Sequence, residues 1–180
     1  MLSILYSIFS SHANSKTKLS LKIFSNGFPN NVETQEGLAV YSEYMSGCLT
    51  MERLKELAFR VIAVDTLNKG YSFADTFDLL FSQYKLDRDK AFSITLRVHR
   101  GGGFTKDHQY LCGINKVYNY ARDGGGLDVL LTGKVTLDYK PTIEKLQDLG
   151  LAIQSKYYTD SYLTNDNSNK NLDFILKSLK

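Results

Sequence analysis

From residue 32 onward almost every segment of the chain carries apolar residues three and four positions apart, set off by residues that start and stop helices. That pattern commits the chain to helices packed on helices, since the same residues laid out as strands would scatter their apolar side chains over both faces. A first helix is expected from Glu33 to Ser46, ending at Gly47. Thr50 can cap a second, in which Leu54, Leu57, Ala58, Val61, Ile62, Val64 and Leu67 form a wide apolar face that ends near Gly70. Ser72-x-x-Asp75 has the form of a capping box with the shorter acid, ahead of Phe73, Phe77, Leu80 and Phe81. Asp87 opens a further helix through Ala91, Ile94 and Val98, and Thr105 one through Tyr110, Ile114 and Val117 that closes at Gly124. Short helices are expected over Leu127–Leu131 and over Pro141–Leu149, the second with proline in its first turn and Gly150 beyond its end. The one segment with a strand's alternation is Leu19–Phe24. The fold class is therefore all-α, with at most a short extended piece near residues 19–24.

With 180 residues the chain suits one domain or part of one. The expected division is a main body over residues 1–158, followed by a loose polar tail over 159–180 that ends in a short helix around Leu172, Phe174, Ile175, Leu176 and Leu179. Basic and acidic residues, 22 against 19, are too balanced for a nucleic-acid surface, and no basic run is present. The apolar amino terminus, Met1 to Phe9, is far short of the roughly 20 residues that span a bilayer and has no basic leader, so it reads as a buried helix. Cys48 and Cys112 stand far apart, without metal-ligand spacing, and free thiols point to a reducing, cytoplasmic setting.

Two stretches could carry chemistry. In Glu33-Thr-Gln-Glu-Gly-Leu-Ala39 the carboxylate of Glu36 sits among small and apolar neighbours. Facing the interior it would need a cation, a donor network or a metal ion. In the first turn of a helix it would instead complement the positive end of the dipole, the reading that the local pattern favours. The second stretch is Arg97-Val-His-Arg-Gly-Gly-Gly-Phe-Thr-Lys-Asp107. Arg97 and Arg100 share a helix face, and the glycines leave backbone N–H groups approachable ahead of the next helix, an arrangement suited to a carboxylate or phosphate. A glycine helix end with a solvated basic rim fits the same residues slightly better. Tyr110, one turn past Lys106, could face a cleft. His12, His99 and His108 form no H-x-x-x-H pair.

Phe24-Ser-Asn-Gly-Phe-Pro29, the Glu33–Ala39 segment and the Arg97–Asp107 segment together resemble the bacterial flavohemoglobin expression-modulating QEGLA-motif family. That family is similar to the tyrosine carboxypeptidases that trim a terminal tyrosine from tubulin. The resemblance runs over about residues 13 to 180 and implies a mainly helical, zincin-like metallopeptidase domain. Its zinc would be held by an H-E-x-x-x-H helix and a downstream glutamate, which corresponds to Glu36. Zinc would lower the pKa of a bound water, and the glutamate beside the first histidine would take its proton. Arg97, Arg100, Lys106 and Tyr110 would bind the carboxyl end of a peptide or protein substrate.

The chain departs from the family where that helix belongs: it reads Ser3-Ile-Leu-Tyr-Ser-Ile8, with neither histidine nor general base. His12 does not restore the motif. The expectation is therefore the carboxy-terminal part of such a domain, without a catalytic residue of its own and inactive unless an upstream segment supplies the rest. The alternative is a non-catalytic module that captures peptide carboxyl ends or other anions at the arginine–glycine loop.

Overall fold

The computed structural model describes residues 26–101, 106–155, 158, 162 and 169–179. The apolar start, the alternating segment near 19–24, His12 and residues 102–105 of the arginine–glycine loop lie outside these. Among the described residues there are seven α-helices and no strand, so the fold is all-α. They are α1 (Asn31–Met45), α2 (Met51–Asn68), α3 (Phe73–Asp78), α4 (Arg88–Arg100), α5 (Asp107–Arg122), α6 (Lys140–Asp148) and α7 (Lys170–Ser178).

The punctuation read from the sequence does its work locally. The Thr50 side chain accepts the Arg53 N–H at 3.1 Å and starts α2. Ser72 and Asp75 form a reciprocal box, with the Asp75 N–H on Ser72 Oγ at 3.2 Å and the Ser72 N–H on Asp75 Oδ2 at 3.0 Å. Asp87 Oδ1 takes the N–H groups of Asp89 and Lys90, both at 3.1 Å. Each cap satisfies donors that the first turn of a helix would otherwise leave unpaired. After α3 the chain widens into a π-helical turn, Leu79–Gln83, which keeps Leu80 fully buried while Phe81 and Tyr84 stay exposed.

One expected helix is absent: Leu127–Leu131 is a series of turns, with a single Leu131 N–H to Leu127 C=O bond of 3.1 Å. Val129, Leu130 and Leu131 are buried one after another while Asp128 is exposed, a succession that a single buried helix face does not give.

The described chain forms two compact units. The first, Met1–Leu49 with Cys112–Lys180, contains α1, most of α5, α6 and α7, and one of its cores gathers Phe28, Val129, Val135, Ile143 and Ala152. In that unit α7 is fastened by Asp173, whose Oδ1 accepts the hydroxyls of Tyr44 and, at 3.1 Å, of Tyr118. The second unit, Thr50–Leu111, packs α2, α3 and α4 around Ala63, Leu80, Ala91, Ile94 and Val98. Thr66 near the end of α2 and His99 near the end of α4 both meet Thr76, at 3.2 and 3.1 Å, so α2 and α4 run side by side in the same direction. No helix among the described residues is long and apolar enough to cross a membrane.

Candidate functional site

The segment Thr34-Gln-Glu-Gly-Leu-Ala39 lies on α1, and five of its six side chains or backbone positions are committed to the fold of the first unit. Thr34 Oγ1 lies 3.4 Å from Thr136 Oγ1 and accepts the Leu137 N–H at 3.2 Å. Gln35, also buried, donates its side-chain amide to the Gly133 carbonyl at 3.4 Å. Gly37 lies against the backbone of Gly113 on α5 so closely that a Cβ placed on it would sit 2.3 Å from the Gly113 carbonyl. Leu38 and Ala39 are buried core residues. Glu36 is the remaining member, half-buried, and among the described residues it has no hydrogen-bond or ion-pair partner. Its neighbour Glu33 differs, since the Lys116 ammonium lies 3.0 Å from its carboxylate and is held above its ordinary pKa chiefly by that bond. Among the described residues the fold thus pairs Glu33 and leaves Glu36 open.

A zinc ion can be tested against this arrangement. Among the described residues no three His, Cys, Asp or Glu side chains are grouped to hold a metal. One carboxylate does not make a zinc site, which takes about three protein ligands and a water when catalytic. The described residues therefore do not fit the ion by themselves.

The basic residues belong to the second unit. Arg97, near the end of α4, is half-exposed, yet its Nε donates to both carboxylate oxygens of Asp107, at 3.1 and 3.3 Å. Asp107 opens α5 and is fully buried. A second cation reaches it from α2, with Arg60 Nη1 at 3.8 Å from Oδ1, and Arg60 Nη2 also pairs with Glu56 one turn back. Burying a carboxylate is tolerable only with such partners, so Asp107 fixes where the Arg97 guanidinium lies. Arg97 keeps its two terminal nitrogens for something else.

Arg100 and Lys106 are exposed, and among the described residues their side chains have no hydrogen-bond or ion-pair partner. Tyr110, one turn into α5, is half-buried. The structure thus ties Arg97 to an anchor that the sequence reading missed. Arg60 carried a weak signal, as a charge one turn from Leu57 and Val64 on an otherwise apolar helix face. Asp107 carried none, because its role depends on α2 and α4 converging on it.

Beside this ion-pair cluster, Glu56 and Arg60 of α2 and Asp89, Lys90, Ser93, Ile94 and Arg97 of α4 line a cavity of about 390 Å³. Its walls carry both signs of charge and one apolar side chain.

The family model of the microtubule-associated tyrosine carboxypeptidases matches residues 10–180, and the chain belongs to that family. No curated protein and no solved structure matches it.

Proposed function

We propose that this chain is the substrate-side portion of a zinc-dependent, carboxypeptidase-like hydrolase. It offers Glu36 as one metal ligand and receives the carboxyl end of a peptide or protein through Arg97, Arg100, Lys106 and Tyr110. The observation that carries this reading is the family match over residues 10–180, together with a Glu36 that is the only member of its buried segment left without a role in the fold. The 180 residues contain no H-E-x-x-x-H, so on this reading the chain alone would bind substrate without hydrolysing it. The free thiols of Cys48 and Cys112 favour a reducing, cytoplasmic setting. A second reading, a purely non-catalytic module for peptide carboxyl ends or other anions, draws on the same basic residues and differs in assigning Glu36 no metal.

The test is binding of a peptide with a free terminal carboxylate against its carboxyl amide. Arg100→Ala is expected to weaken binding of the free acid and leave the amide unchanged, since an arginine–carboxylate pair is lost only in the first case. Equal loss for both peptides would remove the carboxylate-binding role.

A further inference from the structure

We infer that the mixed-charge groove between α2 and α4 binds short peptides whose amino and carboxyl ends are both free, with Asp89 holding the ammonium end and Arg97 the carboxylate. This deepens the function proposed above and rests on its assignment of Arg97 to a terminal carboxylate.

Three features of the groove carry it. The first is charge. Its lining has Arg60, Lys90 and Arg97 against Glu56 and Asp89, and the buried carboxylate of Asp107 stands behind the two arginines. The lining thus carries three cations and two carboxylates, with Asp107 offsetting the arginines from behind. A simple anion would be drawn by Lys90 and Arg97 and repelled by Asp89 and Glu56, whereas a zwitterion meets each sign with its opposite.

The second is which of these groups are already used. Arg60 is taken up by Glu56 and Asp107, and Arg97 gives its Nε to Asp107. Among the described residues the side chains of Asp89, Lys90 and Ser93 have no hydrogen-bond or ion-pair partner, and Arg97 has its terminal nitrogens to spare. The unengaged groups are thus one carboxylate, one hydroxyl and two cations, set around a cavity of about 390 Å³ with Ile94 as an apolar side.

The third is spacing. Asp89, Ser93 and Arg97 fall four apart on α4 and share a face, so the acid and the arginine are separated by about 12 Å of helix rise. An extended peptide advances about 3.3–3.6 Å per residue, so the charged ends of a tripeptide span a similar distance, and the central Ser93 hydroxyl would meet its backbone.

The experiment is calorimetric titration of the full chain with trialanine, N-acetyl-trialanine, trialanine amide and inorganic phosphate. Trialanine is expected to bind saturably, acetylation to weaken it about tenfold or more, and phosphate to bind more weakly than trialanine, as expected when a charge-assisted contact is lost. Asp89→Asn should bring trialanine down to the acetylated peptide without weakening the latter. Trialanine amide should bind about tenfold or more weakly than trialanine, because Arg97 then meets no carboxylate. If acetylated and free trialanine bind equally while the amide binds poorly, the amino-end assignment is overturned and the carboxylate reading stands. If the amide binds as well as the acid, or no peptide binds, both fail. Phosphate binding tighter than trialanine would make the groove a plain anion site and overturn the inference.

Discussion

Gly113→Ala is the substitution that should most directly loosen the scaffold holding Glu36. A Cβ on Gly113 would lie 2.2 Å from the Glu33 carbonyl oxygen and 2.8 Å from Gly37 N and Cα, all of them backbone atoms of α1. No side chain can turn away to relieve this, so α1 and α5 must separate by about 1 Å to reach ordinary contact. A gap of that size forfeits between a quarter and a half of the dispersion energy across the facing surfaces, where Leu38, Ile114 and Val117 are buried. Overpacking of this kind costs about 1–3 kcal/mol, more when backbone is the obstacle, and alanine in a helix interior returns about 1 kcal/mol of propensity. A net loss of about 2–3 kcal/mol is expected, and for a chain of this length each kcal/mol lowers Tm by about 2–4 °C. Urea unfolding followed by far-ultraviolet circular dichroism measures it. A Gly113→Ala chain within about 0.5 kcal/mol of the parent, or more stable, would show that the helices do not meet at this crossing and refute the reasoning.

Arg97→Ala is expected to destabilise the chain by about 3 kcal/mol, because the buried Asp107 is left with only the more distant Arg60 cation. Adding Asp107→Asn should recover part of that loss in a double-mutant cycle, and additive losses would show that the pair is not coupled. Above about pH 10 stability should fall. Burial first, and then the hydrogen bond to Asp173, push the Tyr118 hydroxyl up to about 12, and burial with the same acceptor pushes Tyr44 up as well. A hydroxyl favoured in its neutral form by folding contributes fully below the unfolded value of 10.0 and loses that contribution as pH rises through the folded value. Asp173→Asn should shrink the fall between about pH 10 and 12, and an unfolding midpoint that is flat over that range in the parent chain would contradict the assignment.

What could be read from the sequence was what is decided within a few residues. Thr50, Ser72 with Asp75, and Asp87 cap helices because their side chains need only the N–H groups two or three positions on. The helix after Pro141 ends at Gly150 for equally local reasons. Leu127–Leu131 was misjudged because four apolar residues around Asp128 suit one face of a helix, whereas Val129, Leu130 and Leu131 are buried in succession. The candidate site was legible as residue types and not as relations. Glu36 and Arg97 stand out in the sequence, but the contacts of Gly37 with Gly113, of Gln35 with Gly133 and of Arg97 with Asp107 depend on how helices pack. The Glu-Gly-Leu-Ala segment shows the division well: Gly37 meets Gly113 at a helix crossing, Leu38 and Ala39 are core, and Glu36 has no partner among the described residues.

The zinc content of the purified chain, measured by elemental analysis after dialysis against a weak competing chelator, tests the central claim most directly. The account predicts far less than one zinc per chain, since Glu36 would be a single ligand and a zinc site takes about three. Close to one zinc per chain, lost on Glu36→Gln, would contradict it by showing that these 180 residues complete a metal site on their own.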